Sequence, residues 1–266
     1  MGNSKSKDAK TKGKRFKAIP DSYESYDDLT QALRKAGLES SNLVLGIDYT
    51  KSNTWTGKRT FNGKCLHEIS SNPRFMNQYQ HVIFILGRTL EAFDDDKLIP
   101  VFGFGDATTG GTLCFPFLPD NQVCHGFQQV LDRYIQITPG ISLAGPTNFA
   151  PVIQAAITQC QASRGYTILI IVADGEVTSV EETMNAIVEA SNYPLLIIMV
   201  GVGDGPWDMM MHFDDKLPAR RFDNFQFVDY HKTMAWNKKN PDVGFATAAL
   251  MEIPEQYKLI RQLGLL

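Results

Sequence analysis

Asp48, Thr50 and Ser52 stand at alternate positions in the run Asp48-Tyr49-Thr50-Lys51-Ser52. One carboxylate and two hydroxyls at that spacing can turn their oxygens toward a common point from a single loop. Thr147 and Asp174 are two further oxygen carriers, distant along the chain but each beside an apolar run. Together they offer two carboxylates and three hydroxyls. Such hard donors suit Mg²⁺, with Mn²⁺ or Ca²⁺ as the other candidates. A single Asp after a strand is most often a loop cap; the five groups together favour a metal. Two carboxylates at most neutralise a 2+ ion, and hydroxyls leave it open to one more anionic oxygen. The expected visitor is an Asp or Glu of a protein partner. Hydrolysis would need a general base or a reactive water. Neither can be named, so no catalytic residues and no enzyme are expected. Asp106 follows another apolar run and is a candidate to hydrogen-bond the ligands without touching the ion.

Other motifs lead elsewhere or nowhere. Gly103-x-Gly105 and Gly201-x-Gly203-x-Gly205 do not give the G-x-G-x-x-G of a dinucleotide fold at the first strand–helix junction. No G-x-x-x-x-G-K-[ST] and no G-x-S-x-G occurs. The five histidines are scattered and read as structural or exposed. Trp207 and Trp236 could anchor a partner or pack as loop aromatics.

The elements that must position these groups follow from apolar periodicity. Leu43–Ile47, Leu98–Phe104, Thr167–Ala173 and Leu195–Val200 are continuous apolar runs, the pattern of strands buried on both faces, and Asn224–Val228 is a weaker one. Helices are expected over residues 23–37, 75–92, 121–137, around 149–160, and near 245–251 and 255–263, the last two separated at Pro254. Ser179-x-x-Glu182 reads as a capping box opening one more. Strands alternating with helices indicate an α/β fold of three layers, a mostly parallel central sheet with helices on both faces. In such sheets ligands bind beyond the carboxyl ends of the strands. That is where Asp48, Asp106, Asp174 and Asp204 fall.

With 266 residues, 43% of them hydrophobic, the chain can build one large domain. The expected division is a basic tail over 1–20 and one folded domain over 21–266. The tail carries Lys5, Lys7, Lys10, Lys12, Lys14, Arg15 and Lys17 against the single acid Asp8, while the whole chain has a net charge of −3. Met1-Gly2-Asn3-Ser4-Lys5-Ser6 fits the pattern for myristoylation of Gly2. One acyl chain binds membranes weakly, and a basic run supplies the second signal. The expectation is a cytoplasmic protein held peripherally on the inner face of the plasma membrane or other membranes. The acidic body gives no sign of nucleic-acid affinity. Cys65, Cys114, Cys124 and Cys160 match no zinc or CxxC spacing and read as reduced thiols. No apolar run is long enough to cross a bilayer.

Asp48-x-Thr50-x-Ser52 with distant Thr147 and Asp174 resembles the metal-ion-dependent adhesion site (MIDAS) of von Willebrand factor A (VWA) domains. The usual first element there is D-x-S-x-S. Thr50 keeps the hydroxyl and adds a methyl that stiffens the side chain. The runs GIDYTKSN, GFGD, GPTNFAPVI, VADGEVT and GVGDGPWDMM are similar to copine-type VWA domains. They resemble most closely those of the RING domain ligase (RGLG) proteins of plants. The likeness runs over roughly residues 20–264. It implies a Rossmann-like VWA sandwich, one cation at the five residues above, and N-terminal myristoylation. It does not carry over ubiquitin ligase activity, because no Cys/His cluster follows Cys160. The paired C2 domains of copines do not fit in the short leader either. A scaffold or adaptor function is therefore expected. The alternative is the substrate-receptor part of a ubiquitin ligase system, with the RING on another chain.

Overall fold

The structure is a computed structural model that describes residues 23–175, 177–217, 220–235 and 238–266. The basic tail, Gly2 and Trp236 lie outside the described residues. In chain order the elements are α1 (Tyr26–Ala36), β1 (Asn42–Asp48), α2 (Gln78–Leu90), β2 (Leu98–Ile99), β3 (Val101–Phe104), β4 (Cys114–Pro116), β5 (Cys124–His125), α3 (Gly126–Ile137), α4 (Ala150–Ser163), β6 (Thr167–Ala173), α5 (Val180–Ala190), β7 (Leu195–Gly201), α6 (Asp208–Lys216), β8 (Phe225–Asp229), α7 (Tyr230–Met234), α8 (Pro241–Leu250) and α9 (Ile253–Gln262).

Six strands form one sheet in the order β4-β3-β1-β6-β7-β8. All its pairings are parallel except β3 with β4. Alternate side chains of each strand enter opposite layers. Leu45, Ile47, Ile170, Val172, Ile198 and Val200 pack into the core that includes residues of α1, α2, α3, α8 and α9. Val44, Leu169, Ile171, Ile197 and Met199 pack with residues of α4, α5 and α6. Both faces are therefore buried, which is why β1, β6 and β7 read as unbroken apolar runs. Gly46 marks the closest approach of α4: a Cβ there would stand 2.7 Å from Val152 Cγ2. Among the described residues no helix is long and apolar enough to cross a membrane.

Several local readings need correction. The strand expected over Leu98–Phe104 is two, divided at Pro100, which has no N–H to continue a ladder. Leu98–Ile99 leaves the main sheet and pairs antiparallel with Cys124–His125. The helix expected from Asn121 consequently starts only at Gly126. The capping box at α5 does not form. Ser179 makes no side-chain cap, and the Glu182 carboxylate instead accepts from Asn148 Nδ2 at 2.6 Å. A tertiary bond to a charged acceptor displaces the local one. The edge strand β4 and the helices α6 and α7 carry no clear period and were not anticipated.

Strand order reverses at β1, with β3 reached on one side and β6 on the other. The crevice above such a reversal is the natural ligand position of an open α/β sheet. Asp48 closes β1 at that point.

Candidate metal centre

β1 and β6 run side by side with Ile47 opposite Val172. Asp48 and Asp174 therefore emerge one residue apart in level at the same rim. Both are fully buried. After Asp48 the chain turns into a 3-10 segment, Lys51–Thr54. Asp48 Oδ1 accepts from Thr50 N at 2.7 Å, which pins the turn. Thr50 Oγ1 and Ser52 Oγ lie 2.9 Å apart, and Ser52 Oγ donates to Asp174 Oδ1 at 2.8 Å. Thr50, Ser52 and Asp174 are thus joined in one hydrogen-bonded chain, with Asp48 at its base. The extra methyl of Thr50 finds room because residue 105 is glycine: a Cβ there would meet Thr50 Cγ2 at 2.4 Å.

Thr147 comes to the same rim by its backbone. Its carbonyl accepts from Thr178 N at 2.9 Å, Thr178 Oγ1 at 3.0 Å and Ser179 N at 3.3 Å, which fastens it to the loop after Asp174. Three residues earlier, Ala144 O accepts from Lys51 N at 2.7 Å. The 144–147 loop is therefore held between the Thr50 loop and the Asp174 loop. The Thr147 hydroxyl makes no hydrogen bond to the other four side chains among the described residues. Asp106 is turned to its own loop. Its oxygens accept from Thr108 N at 3.0 Å, Thr108 Oγ1 at 2.5 Å, Thr109 N at 3.2 Å and the Thr109 hydroxyl. Burial works to raise its pKa, and these bonds outweigh it, so the carboxyl sits below its usual range. Asp204 likewise serves a loop, accepting from Arg59 N at 2.9 Å and from Thr60 N and Oγ1 at 3.0 and 2.7 Å. Trp207 packs on the Phe227 ring at 5.5 Å.

The electrostatics at Asp48 and Asp174 are costly as they stand. Burial and then the charge of Asp174 push the Asp48 carboxyl well above its ordinary pKa. Burial raises Asp174 too, against the donating hydroxyls of Thr56 and Ser52. The two carboxyls face each other within hydrogen-bonding reach. With both ionised, Asp48 Oδ2 is shut away from water with no donor. A buried charge in that position requires a shared proton or a cation. The surrounding hydroxyls of Thr50 and Ser52 are hard oxygen donors, so the residues present fit a divalent cation. Among the described residues no group of three or more His, Cys, Asp or Glu is placed to hold a metal; the set here is two carboxylates with hydroxyls.

Four further residues complete the arrangement, and none was legible beforehand. Thr56 donates its hydroxyl to Asp174 Oδ2. Asn53 Nδ2 donates to Thr50 O at 3.0 Å. His67 is sandwiched between the rings of Tyr49 and Tyr79, with centroids at 4.6 and 4.2 Å. Its Nε2 donates to Asp48 O at 2.7 Å, and its Nδ1 accepts from Tyr134 OH at 2.8 Å. Burial lowers its pKa to about 3, against the favourable bond to the Asp48 carbonyl. His67 is thus neutral and in a single tautomer, holding the backbone of Asp48 from below. Tyr79 OH supports both Asn53 Oδ1 at 2.7 Å and Asp48 O at 3.3 Å. A lone histidine in a long polar loop carries no pattern that would mark this role.

Comparison with known proteins agrees with this architecture. The family model described as Copine matches residues 65–266. E3 ubiquitin-protein ligase RGLG2 of Arabidopsis thaliana is 52% identical over 268 residues, covering 95% of this chain and 57% of that protein. Copine family protein 2 of Caenorhabditis elegans is 53% identical over 247 residues, covering 92% of this chain and 3% of that protein. The chain thus spans little more than half the length of the ligase it matches. Among solved structures, a PilB minor pilin mutant from Streptococcus sanguinis is alike in fold, with a TM-score of 0.51 at 9% identity, over 84% of this chain and 63% of that one. The family model and the identity over nearly the whole sequence place this chain in the copine family.

Proposed function

We propose that this chain is a cation-dependent protein-interaction module, a scaffold or adaptor rather than an enzyme. Asp48, Thr50, Ser52, Thr147 and Asp174 would hold one divalent cation, Mg²⁺ foremost, with Mn²⁺ or Ca²⁺ as substitutes. When bound, the cation supplies a Lewis-acidic position for the carboxylate of a partner's Asp or Glu. The observation that carries this reading is Asp48 Oδ2, buried and without a donor beside a second buried carboxyl. The chain's own residues do the rest. Ser52 and Thr56 orient Asp174, and His67, Tyr79 and Asn53 hold the Asp48 turn. Metal-free protein titrated with Mg²⁺ in a calorimeter is expected to show one saturable site, emptied by chelator and open to Mn²⁺ competition. No saturable uptake up to millimolar Mg²⁺ would sink the reading.

The same proposal places residues 21–266 as the interaction unit and 1–20 as its anchor, through Gly2 acylation and the Lys-rich run on an anionic cytosolic leaflet. Myristoylated protein is expected to sediment with phosphatidylserine vesicles, and Gly2→Ala to leave it in the supernatant. Equal sedimentation of the two counts against the anchor.

The 52% identity to a ubiquitin ligase favours a second reading, the substrate-receptor part of a ubiquitin ligase system. Co-purification with a ubiquitin-conjugating enzyme or a RING protein separates it from the plain adaptor.

A further inference from the structure

The segment after Ser52 is long for a connection inside an α/β domain: residues 55–77 form no helix or strand. Connections of that length are uncommon and are usually either functional or linker segments. This one is tied down at several points. Trp55 N and Thr56 N both donate to Ser52 O, at 2.9 and 3.1 Å, and Asp204 N donates to Thr56 O at 2.7 Å. Trp55 thus lies between two residues of the acidic centre, Ser52 and Thr56. Its side chain nevertheless stands 59% exposed. A tryptophan that the core does not use, on a backbone tied by three hydrogen bonds, is an anchor without an occupant. Beyond Gly57 the same segment walls a groove of about 300 Å³ whose lining includes Phe61, Lys64, Phe75 and Met76. Phe75 is 68% exposed and Met76 40%.

The charge on this ridge differs from that of the chain as a whole. Over residues 51–76 stand Lys51, Lys58, Arg59, Lys64 and Arg74 against the single acid Glu68, which also lines the groove, on a chain of net charge −3. Arg59 reaches Asp204 and Lys64 reaches Glu68. Lys51 and Lys58 are exposed and make no ion pair among the described residues. An acidic partner is the electrostatic complement.

We propose that the ridge from Trp55 to Met76 selects the partner: it takes a peptide segment whose acidic residue sits at the Asp48–Asp174 centre, with one bulky apolar side chain on Trp55 and another in the Phe61–Phe75–Met76 groove. This rests on the cation reading above and adds the source of specificity. A carboxylate at a metal is common to every Asp and Glu and distinguishes none. A rigid aromatic anchor beside it does distinguish, because large, low-entropy side chains carry most of the energy of an interface.

The test uses the full chain labelled with 5-fluorotryptophan, Mg²⁺, and two probes: N-acetyl-leucyl-aspartyl-leucyl-leucine amide and its counterpart with glycine for every leucine. The Trp55 resonance is assigned by its loss in Trp55→Phe. The leucine peptide is expected to shift that resonance and to bind about tenfold tighter than the glycine peptide. Trp55→Ala and Phe75→Ala should each remove most of that advantage and leave Mg²⁺ uptake unchanged. Equal affinity for the two peptides, an unmoved Trp55 signal, or full affinity in either variant overturns the proposal. So does the absence of peptide binding in a protein that takes up Mg²⁺, in which case the cation site stands and the ridge does not. Failure to take up Mg²⁺ at all removes both.

Discussion

Asp48→Asn is expected to abolish Mg²⁺ uptake and, in chelator, to raise the melting temperature above that of the parent. The two effects have one cause. Asp48 and Asp174 are buried carboxyls facing each other, and without a cation the pair must share a proton or repel. The asparagine amide keeps the oxygen that accepts from Thr50 N and sets an N–H where Asp48 Oδ2 has no donor. Removing one buried like charge is worth about 1–3 kcal/mol. In a protein of this size, that is roughly 3–10 °C. The sign with pH follows from the raised pKa values. A carboxyl whose folded-state pKa exceeds its unfolded value stabilises most at low pH, and that contribution is lost as pH rises through the folded value. The metal-free parent should therefore lose stability as pH rises above the ordinary carboxylate range, and the variant less so. Mg²⁺ should reverse the ranking by stabilising only the parent. Melting curves with and without Mg²⁺, over a pH series in chelator, read all of this. A variant that melts lower than the parent without metal, or that still gains from Mg²⁺, contradicts it.

A comparable loss is expected at a residue that touches no ion. His67→Ala empties a site stacked between Tyr49 and Tyr79 and takes away the acceptor of the Tyr134 hydroxyl, which keeps its bond from Asn77 Nδ2 at 3.1 Å. The cavity and the lost bonds together cost about 3 kcal/mol. That corresponds to a drop of roughly 6–12 °C. His67→Phe retains the ring and separates packing from hydrogen bonding. It should recover about half of the lost melting temperature, yet it still removes the 2.7 Å donor of the Asp48 carbonyl and leaves only the longer bonds from Tyr79 and Asn53. Both variants should weaken Mg²⁺ by about tenfold, as loss of a ligand's supporting partner does elsewhere. The pair of melting temperatures and the Mg²⁺ isotherms decide. If His67→Phe matches the parent in both, the ring is packing and nothing more.

How much of this was readable in the residues depends on the range of the forces involved. β1, β6 and β7 were visible because burial on both faces leaves no room for polar residues. Asp48 and Asp174 stood out because each interrupts such a run at its end. The fold class follows from the alternation, since parallel neighbours need helical crossovers. What failed was decided at longer range. The Ser179–Glu182 pattern is sound locally, but Asn148 lies 34 residues away in sequence and takes the glutamate. The apolar run across Pro100 looked continuous until Cys124–His125 claimed its first two residues. β4 is three residues long and is placed by its pairing with β3, not by its own composition. Thr56, Asn53 and His67 lie in a long segment without period. Their meaning appears only when β6 brings Asp174 alongside. Asp106 stands just after a strand as expected, and its carboxylate accepts from the neighbouring Thr108 N and Thr109 N.

The carboxylate of Asp204 reaches back 145 residues to hold Arg59 N and Thr60 N. For the peptide proposed above, that staple would set the binding kinetics. With the loop held beforehand, such a peptide would meet a finished mould and arrive at a rate set by diffusion and charge. Discrimination between visitors then falls to their residence times, with little left to rearrangement on arrival.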